Sequence, residues 1–251
     1  MNTYSTLGIV VKKLVVSVFW LCNGLISYGQ SRPTPEQILE ARNDMVMENH
    51  RTSFVAHVIT GKKYPLEYVG AINSQFFRNI HPDIGTMTYE GIHFPDVELQ
   101  YDLYSQQVVV LLDTKNNAEY VSIDEEKLTE FTLKNYKFVT TKSDSVMADG
   151  IYQKAYSNAF ATFYIKRRKN IKEILTGKTM QVEFIAANDY YIKNELGTFR
   201  IRGKRSFLEA FGNSEKTVNL VKTNKIKFGK NTIEKGILRA LWLMEENEGN
   251  D

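Results

Sequence analysis

Residues 96–112 read DVELQYDLYSQQVVVLL, and this stretch decides the fold. Val97, Leu99, Tyr101 and Leu103 alternate with Glu98, Gln100 and Asp102. A period of two puts the apolar set on one face of a pleated strand and the polar set on the other. Upstream, TMTYEGIHF (86–94) forms two extended runs around Glu90-Gly91. Downstream come AEYVSI (118–123) and FTLKNYKFV (131–139), the second turning at Lys134-Asn135. Strands this closely spaced pair antiparallel, because a parallel pair needs a crossover of a dozen residues or more. The stretch from Gly85 to Thr141 therefore reads as a β-meander.

Strand signals extend on both sides of it. FVAHVIT (54–60) and KKYPLEYVG (62–70) read as strands around Gly61, and Asn73–Ile84 as an irregular segment containing Pro82. IYQKAYSNAFATFYIKRR (151–168) suits a hairpin turning at Ser157-Asn158. MQVEFIA (180–186) and DYYIKNELGTFRIRG (189–203) follow, the latter turning at Asn194–Gly197. The count is about ten strands, enough for a barrel-like or sandwich-like sheet.

The flanks are helical. Thr34, Pro35 and Gln37 predict a capped helix start with an apolar stripe at Ile38, Ala41, Met45 and Val46. After residue 203 the period changes: Phe207, Leu208 and Phe211 cluster ahead of a C-capping Gly212, and Ser214 caps the next segment. Asn231 and Glu234 predict a capping box for a last helix, with Ile233, Ile237, Ala240, Leu241 and Met244 facing inward and Trp242 packed. The reading is α+β: one domain over 30–251, β-rich over 52–203 and helical over 204–246.

The first 29 residues read as an export signal. Lys12 and Lys13 precede LVVSVFWLCNGLIS, and Ser27 and Gly29 suit a cleavage site before Gln30. The apolar run falls short of the ~20 residues a membrane span needs. Cys22, the chain's one cysteine, follows Leu21 where a lipid-attachment motif wants a small residue. A mature chain from Gln30 has no cysteine, which excludes disulfides and thiolate metal sites. Losing Lys12 and Lys13 lowers the formal charge from +3 to +1, too little to argue for nucleic acid. The expected location is the periplasm or the exterior, with no transmembrane span in the mature chain.

The succession GTMTYEGIHFPDVELQYDLYSQQVVVL (85–111), FTLKNYKFV, GIYQKAY…FYIKRRKNI and YYIKNELGTFRIRGKRSFLEAF…VKTNKIKF resembles a group of exported β-rich proteins from Bacteroidetes-type Gram-negative bacteria. The resemblance spans most of the chain from Val55 onward and rests on element order and strand chemistry. It implies an envelope address and a β-rich fold, and it lends no catalytic residues, the group having no assigned activity. One departure is His81-Pro82-Asp83, where that group tends to show an aromatic after His-Pro.

Catalytic signatures are missing from the sequence. Thr176-Gly177-Lys178-Thr179 ends like a phosphate-binding loop, but Lys172 stands where the motif needs glycine, so it reads as a turn. His50, His57, His81 and His93 make no metal-ligand spacing, and no serine sits in a nucleophile elbow. No catalytic, cofactor or metal residue is assigned. Asp102 is the acid a glycan-directed hydrolase would use, but a polar-face position on a half-exposed strand is the simpler account of it. The chemistry-bearing feature is basic. Arg167, Arg168 and Lys169 form one cluster, Arg200 and Arg202 share a strand face, and Tyr190 and Tyr191 lie beside them. These seven residues are the candidate contact for an anionic glycan, a lipid head group or a partner envelope protein. The same charges would also suit a solvated edge strand that resists self-pairing. The sequence thus favours a non-catalytic envelope binding protein, with a hydrolase or a purely structural module as alternatives.

Overall fold

The computed structural model describes residues 34–58, 62–68, 70–78, 80–114, 117–177 and 179–248. The expected export signal and its cleavage site at Gly29/Gln30 lie outside the described residues, as do the side chains of His50 and His57. The chain divides into two compact units, Met1–Asn49 and His50–Asp251.

Helix α1 (Pro35–Val58) opens as expected. The Gln37 amide N–H donates to Thr34 Oγ1 at 3.2 Å, and the Thr34 N–H donates to Gln37 Oε1 at 2.9 Å. The helix continues to Val58, so the strand expected from residue 52 is a correction. Phe54, Val55 and Val58 lie on one side of its last turns, and the Phe54 ring meets Phe94 edge-on at 5.1 Å.

The described residues of the second unit hold thirteen strands, more than the ten expected. They are β1 (Lys62–Lys63), β2 (Asp83–Tyr89), β3 (Ile92–Asp102), β4 (Gln107–Thr114), β5 (Asn117–Ser122), β6 (Leu128–Leu133) and β7 (Tyr136–Thr141). Then follow β8 (Gly150–Ser157), β9 (Thr162–Lys166), β10 (Lys169–Thr176), β11 (Thr179–Ala186), β12 (Asp189–Asn194) and β13 (Gly197–Ile201). Eleven form one antiparallel sheet in the order β1-β5-β4-β3-β2-β6-β7-β8-β9-β12-β13. The sheet is open, ending at β1 and β13, and is not closed as a barrel. Nor is it one simple meander, because β6 pairs with β2 rather than β5. The link between β5 and β6 is a 3₁₀ turn, Glu125–Lys127, capped by Asp124.

Among the described residues, the two largest of four apolar clusters form the main cores. In the first, the Phe131 and Phe138 rings stack at 4.8 Å and Tyr101 meets both edge-on, with Met87, Leu99 and Val110 packed around them. Gly85 is required there: a Cβ would stand 1.9 Å from the Thr132 carbonyl oxygen, beside the point where β2 and β3 shift register. The second core joins Phe163, Ile165, Ile192 and Ile201 of the sheet to α2 (Lys204–Ala210), α3 (Glu215–Thr223) and α4 (Ile233–Glu248). Each large apolar side chain so buried contributes about 1.5–3 kcal/mol. Ser214 caps α3, accepting from Thr217 N–H. The expected box at Asn231 and Glu234 is replaced, since the Glu234 carboxylate binds Arg167. Trp242, expected to pack, is 48% exposed.

Strands β10 and β11 form a separate two-stranded arm in continuous register from Lys169↔Ala186 to Thr176↔Thr179. The sequence reading overlooked β10, whose basic start masked its strand pattern. Among the described residues no helix is long and apolar enough to cross a membrane.

Candidate functional site

Strand register distributes the candidate residues. Tyr190 pairs with Ile165 and Ile201, and Tyr191 with Tyr164 and Arg200. Cross-strand partners share a face and neighbours along a strand do not. Tyr190 therefore faces the helices, near-parallel to the Phe163 ring. Tyr191 faces the other way with Arg200 and Arg202. It is 7% exposed, edge-on to Tyr152 and grouped with Met147. The segment carrying Met147 is pinned by Asp144. That carboxylate accepts from the Met147 and Val146 N–H groups, from Thr198 Oγ1 at 3.0 Å and from Lys193 Nζ at 3.4 Å. The bonds from Met147 and Val146 above all hold its carboxyl down at about 2. Burial, more than any other influence, pushes the Tyr152 phenol up to about 12. A ring so enclosed cannot stack on a ligand, so Tyr191 serves packing.

The basic residues divide into committed and uncommitted. Arg167, 12% exposed at its side chain, donates Nε to Gln153 at 2.7 Å and both terminal nitrogens to Glu234 at 2.8 and 2.7 Å. This two-pronged pair fastens α4 to the sheet. Lys169 Nζ donates to the carbonyls of Ser74 at 2.6 Å and Phe76 at 2.9 Å, and burial lowers its pKa. Arg168 and Arg200 each donate to a different oxygen of Asp189. The bond to Asp189 raises Arg200. Arg202 has no ion pair among the described residues.

Arg202 borders a cleft of about 510 Å³. Its lining includes Arg200, Asp189 and Tyr190 from the sheet, Asn188 from the link before β12, and Lys230 and Asn231 from the loop before α4. Lys230, like Arg202, is exposed and has no ion pair among the described residues. Gly236 sets that loop's position, because a Cβ there would lie 2.3 Å from the Lys227 carbonyl oxygen. The structure thus brings Tyr190, Arg200 and Arg202 to one cleft and places Arg168 behind it through Asp189. Arg167, Lys169 and Tyr191 are used inside the fold. Sequence reasoning missed Asn188, Asp189, Lys230 and Asn231. An acid opening a strand two positions ahead of Tyr191, the partner of Arg200, is the signal that could have found Asp189.

Asp102 is 2% exposed, not on the half-exposed face expected of it. Its oxygens accept from the Tyr64 hydroxyl at 2.6 Å, the Ser105 hydroxyl at 2.6 Å, and the Tyr104 and Ser105 N–H groups at 2.7 and 3.1 Å. Burial, reinforced by the bond to Asp102, raises the Tyr64 pKa. This cage closes the β3–β4 turn and leaves the carboxylate no room for substrate. Among the described residues no buried side-chain nitrogen or oxygen lacks a hydrogen-bond partner.

A second cleft, about 630 Å³, is lined by Ser105, Gln106, Gln107, Lys62 and the Asp124–Glu126 turn. Burial raises the Glu125 carboxyl there, opposed by Lys166 and Lys142. Lys166 Nζ lies 4.7 Å from the centre of the Tyr152 ring, and burial lowers its pKa. Among the described residues no three His, Cys, Asp or Glu side chains gather to hold a metal ion.

Comparison with protein-family models, curated proteins and solved structures returned no match.

Proposed function

We propose that this is an exported, non-catalytic envelope protein that binds a carboxylate- or phosphate-bearing component in the cleft between β13 and the loop before α4. The carrying observation is the division of the cations. Arg167 and Lys169 are spent on the fold, and Arg168 and Arg200 share one carboxylate. Arg202 and Lys230 line the same cleft and have no ion pair among the described residues. Two cations flanked by the Asn188 and Asn231 amides match an anion with several acceptor oxygens. The export signal read from residues 1–29 supports an envelope location for that anion.

The test is calorimetric titration of residues 30–251 with citrate and with inorganic phosphate at two salt concentrations. Binding should weaken as salt rises. Arg202→Ala with Lys230→Ala should lower affinity at least tenfold with an unchanged melting temperature, since both side chains are exposed. Equal binding by the double variant would refute the cleft as the site.

The hydrolase alternative moves from Asp102 to Glu125, because a carboxyl raised by burial in an open cleft is what a general acid needs. Turnover of envelope glycan that disappears in Glu125→Gln would replace the binding reading.

A further inference from the structure

Strand β13 ends the eleven-strand order, and its ladder partner is β12. The pair Asn194↔Gly197 closes a two-residue turn, Glu195-Leu196. In such a hairpin the residues flanking the turn exchange hydrogen bonds, and bonded pairs recur every second position. Asn194↔Gly197, Ile192↔Phe199 and Tyr190↔Ile201 are then the bonded pairs. Thr198 and Arg200 therefore turn their N–H and C=O groups away from β12. Among the described residues no backbone group bonds to them from that side.

The two ends of the sheet differ. At the other end β1 is two residues long, too short to template a strand. The β13 edge continues into Arg202 and so into the basic cleft. Its exposed face carries Arg200 and Arg202 with Arg168 close by, and Lys230 stands across the cleft. Asp189 is the carboxylate lining that cleft, against these four cations. Arginines on an edge repel a second copy of the same strand and admit a strand of opposite charge.

Resting on the cleft reading above, we propose that the anion is carried by an extended acidic segment of a partner protein. The segment adds as a strand to the β13 edge. Its backbone pairs with the outward groups of Thr198 and Arg200. Acidic side chains at every second position fall on the face of Arg200 and Arg202, because strand side chains alternate. Backbone pairing supplies affinity that a free anion lacks, and the alternate acids supply register.

The experiment uses residues 30–251 and a fluorescent ten-residue peptide of alternating glutamate and valine, followed by anisotropy. Its control is the same peptide N-methylated at every second amide, with each of the two phases made. Hydrogen exchange at Thr198 and Arg200 is read in parallel. The expected result is salt-sensitive binding, a loss of at least tenfold in one methylation phase, and slowed exchange at both residues. Equal binding by both methylated peptides, or unchanged exchange at Thr198 and Arg200, would overturn strand addition while leaving the cleft as an anion site. Binding of citrate but of no peptide would do the same. Failure of citrate, phosphate and peptide alike would remove both readings.

Discussion

Asp102 and Asp189 are the same side chain placed at strand termini of one sheet, and they do opposite things. Asp102 closes β3 and is surrounded by uncharged donors: two hydroxyls and two backbone N–H groups. Asp189 opens β12 and is gripped by two guanidinium groups. The first carboxylate is consumed by the fold and makes a turn rigid. The second leaves charge over, because it answers two arginines while Arg202 and Lys230 have no ion pair among the described residues. A buried acid with neutral partners signals architecture here, and an acid outnumbered by cations marks the rim of a site.

Substitution should separate the two roles most sharply in stability. Asp102→Ala would strand the Tyr64 and Ser105 hydroxyls and is expected to cost about 3 kcal/mol in urea unfolding. Asp189→Ala should stay within about 1 kcal/mol, since partly exposed ion pairs contribute little, and should tighten citrate binding by freeing Arg168 and Arg200. Comparable losses from both would erase the distinction. Between them falls Arg167→Ala, which removes a two-pronged bond to Glu234 and a bond to Gln153. About 2 kcal/mol is expected, with unchanged citrate affinity. A large fall in affinity would put Arg167 back in the contact.

The smallest effect is one of pH. The folded Asp144 carboxyl sits at about 2, below the ordinary value near 3.9. A depressed carboxyl contributes stability that is present in full above the unfolded value and is lost as pH falls through the folded one. The contribution should therefore drain between about pH 4 and pH 2. Asp144→Ala should flatten the melting-temperature profile in that window and raise Tyr152 and Tyr191 exposure. An unaltered profile would mean that Asp144 does not hold the covering segment.

Much of this fold could be read from the chain. The alternation through Val97, Leu99 and Tyr101, the turns at Glu90-Gly91 and Lys134-Asn135, and the Thr34 and Ser214 caps all depend on neighbours close in sequence. What escaped depends on distant partners. Phe54, Val55 and Val58 satisfy a helical stripe and an apolar strand run alike, and the choice between them rests on a core distant in sequence that includes Phe94 on β3. Whether β6 lies beside β5 or β2 is fixed by packing around Phe131 and by the gap that Gly85 leaves for Thr132. Glu234 looked like a cap because its alternative partner, Arg167, stands far away in the chain. The cleft was half legible: Arg200 and Arg202 declared a shared face, but Lys230 and Asn231 arrive from a helical region with no local hint of the sheet.

The β10–β11 arm carries a consequence for how such a chain can vary. Strands β9 and β12 are adjacent in the sheet, so everything from Arg167 to Asn188 is an excursion between neighbours already paired. The sheet's order does not pass through it. Leu175 and Met180, paired near its tip, are 69% and 60% exposed. Its base is tied by Asn73 to Phe184 and by Tyr68 and Tyr104 against the Phe184 ring. Lengthening or shortening it in register-preserving steps of two residues per strand would alter its reach and keep every ladder of the main sheet. Selection could thus tune the arm's span without renegotiating the scaffold beneath it.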